Sequence, residues 1–172
     1  MPASIYLRIM KHTKSTLTLI LSLFIAQAVS GQNSYKTALG LRLNGGAGIS
    51  VRHFLNPKHA LEGILYTRWR GTNITGLYTV NTPVFDEPGF NFFIGAGGHI
   101  GFWNRSTNPW WRDEDFDGRT TVVGIDGQLG LEYTFSEIPL NLGIDWKPAV
   151  NLVGVQNFWG SDLALSVRYT FR

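Results

Sequence analysis

Cysteine is absent from all 172 residues. Disulfides, thiolate zinc sites, a catalytic cysteine and an acylated lipoprotein cysteine are thereby excluded. Charge is sparse, at 16% of residues, and acids are missing altogether from residues 1–31, which hold Arg8, Lys11 and Lys14. The rest of the chain carries 12 basic against 12 acidic residues, so the formal net charge of +3 belongs to that first stretch. A neutral body offers no electrostatic footprint for nucleic acid. Beyond the first stretch, no apolar run approaches the about 20 residues that a spanning helix needs. If this part of the chain crosses a membrane, it must do so as strands.

What is present begins with an export signal. Lys11 and Lys14 precede an apolar stretch from Leu17 to Val29, and the small residues Ala28, Ser30 and Gly31 offer cleavage before Gly31 or Gln32. Residues 1–31 are expected to be a cleaved signal peptide and 32–172 the mature domain. Met10, followed by Lys-His-Thr-Lys, is a more natural start than Met1.

From Thr37 onward the apolar period is two, not 3.6, and it recurs in segments of about ten residues, the length of a tilted transmembrane strand. In Thr121–Phe135 one face carries Val123, Ile125, Leu129, Leu131 and Tyr133, and the other Asp126, Gln128, Glu132 and Thr134. The last segment sets Leu163, Leu165, Val167, Tyr169 and Phe171 against Ala164, Ser166, Arg168 and Thr170. Phe90–Trp103, Ala60–Arg70 and Leu140–Lys147 alternate likewise. With Ala38–Asn44, Gly48–Leu55 and Asn73–Thr82 the total is eight. The first division rests on a tight turn at Gly45-Gly46; without it, 38–55 is one kinked strand. The fold class is all-β, an antiparallel up-and-down barrel.

Three features favour a membrane barrel over a soluble, lipocalin-like periplasmic one. The polar face is rich in glycine and holds few charges of mixed sign, as a narrow lumen requires. With the first strand running outward, Phe90, Phe92, Tyr133, Phe135, Tyr169 and Phe171 fall near the periplasmic rim, and Trp69, Phe102 and Trp146 near the outer one, as two interfacial girdles. Short connections at 56–59 and 136–139 and a longer one at 83–89 land on the periplasmic side, while the long 104–118 segment lands outside.

The motifs Ala-Leu-Gly-Leu-Arg-Leu (38–43), Ala-Leu-Glu-Gly-Ile-Leu (60–65), Gly-Ala-Gly-Gly-His-Ile-Gly (95–101) and the ending Val-Arg-Tyr-Thr-Phe-Arg resemble small Gram-negative outer-membrane β-barrel proteins of the eight-stranded OmpA/OmpX-like class, over residues 37–172. The resemblance implies a cell outer-membrane location with lipid and lipopolysaccharide as neighbours. It further implies that Val167, Tyr169 and Phe171 are the signal read by the barrel-assembly machinery, although Arg172 follows the aromatic that usually comes last.

Eight strands leave a core just wide enough for side chains. Arg42, Arg52, Glu62, Arg68, Asp126, Glu132, Asp145, Lys147 and Arg168 are therefore expected to form a lumen charge network that plugs the barrel. His99 reads as a lumen histidine in a polar network, with no serine in reach along its strand for hydrolysis. His53 and His59, at a strand end and a turn, show no metal-ligand spacing. Asp113, Asp115 and Asp117 with Gly118 match the first half of an EF-hand calcium loop, but Gly124 stands where a bidentate glutamate belongs. They form either a solvated loop tip or a loose calcium site that bridges to lipopolysaccharide phosphates. Trp110, Trp111, Phe158 and Trp159 are placed in outer loops, where they contact headgroups or a surface partner.

The reading that follows is a non-enzymatic, monomeric outer-membrane barrel without cofactor, serving envelope integrity or surface interaction through its outer loops. A lipid-modifying enzyme, a narrow pore and a soluble periplasmic ligand-binding barrel are the alternatives.

Overall fold

The computed structural model describes residues 35–68, 71–85, 87–104, 119–154 and 158–171. The expected signal peptide, Trp69, Trp110, Trp111, Asp113, Asp115 and Asp117 lie outside the described residues, as does the side chain of Arg68.

Ten strand segments follow one another: β1 (Thr37–Leu43), β2 (Ala47–Phe54), β3 (His59–Arg68), β4 (Gly71–Pro83), β5 (Phe90–Asn104), β6 (Arg119–Thr134), β7 (Leu140–Trp146), β8 (Ala149–Val153), β9 (Phe158–Trp159) and β10 (Leu163–Phe171). They form eight strands. β7 and β8 both pair with β6, and the register runs on unbroken from Leu129↔Trp146 to Asp126↔Ala149. Only Lys147-Pro148 interrupts them; proline has no N–H to give the ladder, but its carbonyl still accepts from Gly127 N–H at 2.9 Å. β9 pairs with β8 and β10 with β7, so these two are likewise one strand, broken at residues 160–162. All pairings are antiparallel, and β1 pairs with β10 from Thr37↔Phe171 to Leu43↔Leu165, which closes the ring.

The pairing register fixes the barrel's shape. From Asn141, hydrogen-bonded neighbours lead through Arg168, Gly40, Ser50, Ile64, Thr75, His99 and Gly124 to Asn151. Asn151 lies on the same strand as Asn141, ten positions further along. Eight strands about 4.8 Å apart with a stagger of ten residues imply a tilt of about 40° and a radius of about 8 Å.

Gly45 supplies the turn that divides β1 from β2, with a left-handed φ of 77° that an ordinary residue resists. The β2–β3 connection is held by Asn56, whose Oδ1 accepts from the backbone N–H of Lys58 and of His59, each at 3.0 Å. The β2–β3, β4–β5 and β6–β7 connections share one end of the barrel, the turn end; the β5–β6 connection leaves from the other, the loop end.

The sides of the wall are inverted relative to a water-soluble protein. Leu39, Leu41 and Leu43 of β1 are 44–54% exposed while the intervening Arg42 is 1% exposed. Ile49, Leu65, Ile74, Ile100, Leu142, Ile144, Leu165 and Val167 continue the apolar outer face around the ring. At the turn end, Phe90, Tyr133 and Phe135 pack in succession with centroids 4.9 and 4.8 Å apart, the first pair tilted and the second edge-to-face, and Tyr169 meets Phe171 at 5.0 Å. Inside that end, Tyr35, Ala38, Phe54 and Ala60 form a small apolar floor, with Tyr35 edge-on to Phe54 at 5.1 Å.

The expected division at Gly45-Gly46 is present: the region 38–55 is two strands. Two expectations change. Trp146 does not mark the outer rim, because β8 carries its strand seven residues further; its indole donates to the Gly160 carbonyl at 2.6 Å. Phe158 and Trp159 belong to a strand, not a loop, and alternate accordingly. Phe158 opposes the outward Val150, and Trp159 opposes the inward Ala149.

Candidate functional site in the lumen

Strand alternation delivers one polar residue to the interior from nearly every second position, and the mixed signs assort into two tiers. In the turn-end tier, Arg52 and Glu62 are direct cross-strand partners, and Arg52 Nη2 donates to Glu62 Oε2 at 2.6 Å. Arg52 Nη1 reaches Glu132 Oε2 at 2.7 Å. β2 and β6 are four strands apart in a ring of eight, so this pair spans the diameter. Arg168 Nη2 donates to Glu62 Oε1 at 2.7 Å and its Nε to Ser50 Oγ at 3.0 Å. Ser50 Oγ donates to Glu62 at 2.7 Å, and Asn141 Nδ2 to Glu132 at 3.3 Å. The four charged side chains are 0% exposed, and the Arg52 guanidinium lies 4.1 Å above the Phe93 ring.

The loop-end tier is built around three aspartates. Arg42 Nη2 donates to Asp145 Oδ1 at 2.7 Å and approaches Asp162 at 3.0 Å. Lys147 Nζ donates to Asp126 at 2.7 Å and lies 3.3 Å from Asp162. His99 sits between Asp126, 2.7 Å from Nδ1, and Asn151 Oδ1, 2.9 Å from Nε2. Gln128 donates to Asp145, and Asn44 to Asp162.

The structure thus brings together every charge expected in the lumen except Arg68, whose side chain is not described. Buried ion pairs of this kind compensate the desolvation of their members only when the geometry is good and the remaining lone pairs are used. Here the carboxylates accept from two or three donors each, but Glu132 does so through Oε2 alone, and its Oε1 is buried with no hydrogen-bond partner. Asp162 is the member that the sequence reading missed. It lies between β9 and β10, off the alternating pattern, and becomes an inward group through the break in that strand. Gly160-Ser161 beside it is the one local signal of such a break.

Both ring nitrogens of His99 are taken, Nδ1 by Asp126 and Nε2 by Asn151. Among the described residues no group of three or more carboxylate or imidazole side chains is set to hold a metal ion. The proposed assembly residues Val167, Tyr169 and Phe171 all face outward on β10, 44–54% exposed.

An eight-stranded antiparallel barrel with an ion-paired interior and an apolar outer wall is the architecture of the small outer-membrane barrel domains. Specifically, the chain is similar in structure to the N-terminal β-barrel domain of Pseudomonas aeruginosa OprF. The TM-score is 0.55 at 20% sequence identity, over 82% of this chain and 99% of that one. The resemblance drawn from the sequence therefore holds for the fold. No protein-family model matches the sequence, and no curated protein does.

Proposed function

We propose that this chain is an integral outer-membrane β-barrel protein without enzymatic activity, whose lumen is closed by its own ion pairs. The observation that carries the reading is the inverted wall. Aliphatic residues from every long strand face outward, while arginine and glutamate side chains are fully buried inside. Such a surface is stable against lipid and not against water. Closure is supported by the diametral Arg52–Glu132 pair above the apolar floor of Tyr35 and Phe54. Residues 1–31 direct export on this reading, and the outward aromatics of β10 present the assembly signal. The turn end faces the periplasm and the loop end the exterior. The wall is bathed by lipid and lipopolysaccharide, and the role is envelope integrity or contact with a surface partner at the loop end.

Cell fractionation with heat-modifiable gel migration tests the location, and planar-bilayer recording tests the closure. The expected result is an outer-membrane fraction whose folded and boiled forms migrate differently and which conducts no steady current. Recovery in the soluble periplasmic fraction overturns the membrane reading; steady single-channel steps overturn the closed lumen.

A further inference from the structure

The outward positions at the turn end divide into two sectors. On β5, β6 and β10 they carry aromatic rings: Phe90, Tyr133, Phe135, Tyr169 and Phe171. On β2 and β3 the corresponding positions hold His53 and His59. The hairpin register puts Leu61 opposite His53. His59, two residues nearer the turn on the same face, is therefore the diagonal neighbour of His53, at about 7–8 Å.

Each imidazole is anchored through Nδ1 by a hydroxyl. Thr37 Oγ1 lies 2.9 Å from His53 Nδ1, and Tyr78 Oη lies 2.6 Å from His59 Nδ1, with the His59 and Tyr78 rings stacked at 5.5 Å. Where a hydroxyl donates to Nδ1 the ring proton stands on Nε2, and a protonated ring carries an N–H there as well. Among the described residues, Nε2 of neither ring meets a hydrogen-bond partner. A lysine adjoins each anchored pair: Lys36 precedes Thr37, and Lys58 precedes His59. The turn that carries Lys58 is fixed, its carbonyl accepting from the Asn81 N–H at 2.7 Å. Lys36 is exposed and Lys58 partly so, and among the described residues neither ammonium has an ion pair. The exposed acids of this end among the described residues, Glu87 and Glu137, belong to the β4–β5 and β6–β7 connections.

Two ring N–H donors and two ammoniums, with no carboxylate among them, suit a phosphate anion. The apolar wall begins directly beside them. Val51, Leu55 and Leu61 are 42–55% exposed on the same face of β2 and β3. A bare phosphate uses only the cations, whereas a phosphate that carries acyl chains uses the wall as well. The cation of a zwitterionic headgroup is repelled by the groups that attract its phosphate, so an anionic lipid is favoured.

We infer that the turn-end sector of β1–β3 binds the phosphate headgroup of an anionic phospholipid, with Lys36, His53, Lys58 and His59 as its donors and the acyl chains laid along Val51 and Leu61. This rests on the membrane reading above. It gives the barrel a preferred lipid neighbour at one sector of its turn-end rim, where the aromatic sector accepts any headgroup.

The test folds the mature chain into nanodiscs of equimolar phosphatidylglycerol and phosphatidylcholine and counts the lipids retained on the released protein by native mass spectrometry. The expected result is a preference for phosphatidylglycerol on the order of tenfold. Lys36→Gln with Lys58→Gln brings the ratio close to parity, since each ammonium near the surface is worth about fivefold; Lys36→Arg with Lys58→Arg keeps the preference. His53→Gln with His59→Gln lowers it severalfold while leaving both ammoniums in place. All these variants lie at the rim and keep heat-modifiable migration. A wild-type chain that shows no such migration fails the membrane reading, and the inference with it. Equal retention of the two lipids by the folded protein overturns the inference alone. So does a preference untouched by the histidine pair, which reports a diffuse field of the lysines. So does one abolished by millimolar inorganic phosphate, which reports a site for the free anion.

Discussion

Tyr35 shows what a single side chain does to this fold. It is 4% exposed, and its hydroxyl is buried with no hydrogen-bond partner. Burial pushes its phenol well above the ordinary tyrosine range; the Glu132 carboxylate adds to the shift, and Arg52 and Arg168 oppose it. A phenol that ionises near pH 10 when unfolded and far higher when folded favours the folded state fully below about pH 10. That contribution is lost as the pH rises further, because the unfolded chain can ionise and the folded one resists it. Tyr35→Phe removes an unsatisfied polar atom and leaves the contact with Phe54. It is expected to be neutral or stabilising by about 1 kcal/mol at neutral pH and to flatten the alkaline decline. Urea unfolding in lipid vesicles, compared between neutral pH and about pH 11, measures both; an unchanged alkaline slope in the variant counts against this account.

At the scale of the strand, one register decides everything. Because side chains alternate, each strand has a lipid-compatible face and a lumen face, and a substitution is read according to which it strikes. Ile49 lies outward on β2, 49% exposed, between Leu41 and Leu65 of the neighbouring strands. Ile49→Arg is expected to destabilise the protein by about 2–4 kcal/mol in vesicles of ordinary thickness, and by less if its height lies toward an interface. A variant that unfolds at the wild-type urea concentration contradicts the outward assignment. This alternation is what made the strands legible in the sequence. Period-two segments such as 121–135 and 163–171 have one physical interpretation, and Gly45 announces its turn. The break at Lys147-Pro148 was not legible as an interruption within a strand. A proline after an alternating run reads as its end, whereas here the register resumes at Ala149 and the strand continues. Phe158 and Trp159 read as loop in the sequence because a two-residue segment carries no periodicity of its own. The lumen charges were legible as a set, but their partners were not. Arg52 and Glu132 are 80 positions apart and meet only because the ring brings β2 opposite β6.

At the scale of the whole molecule, some of the ion pairs act as ties between strands that share no ladder. Arg42 on β1 is the cation that neutralises Asp145 on β7, with β10 between them. Arg42→Met leaves Asp145 buried without its partner and is expected to cost about 3–5 kcal/mol in urea unfolding. Arg42→Met combined with Asp145→Leu is expected to recover most of that loss, since the stranded charge is gone. A double variant as unstable as the two single losses added together refutes the pairing as the source of the effect.

The closure of the ring also has a kinetic side. β1 and β10 meet with Thr37 opposite Phe171, residues 134 positions apart. Every other contact between neighbouring strands joins hairpin partners, local in sequence; this seam alone draws together the two ends of the domain. Loop entropy charges most heavily for such a contact, and topologies dominated by distant pairings fold slowly. Until the seam forms, both end strands present unpaired N–H and C=O groups, which hydrocarbon does not tolerate. Formation of the seam is therefore the step at which a row of hairpins becomes a barrel.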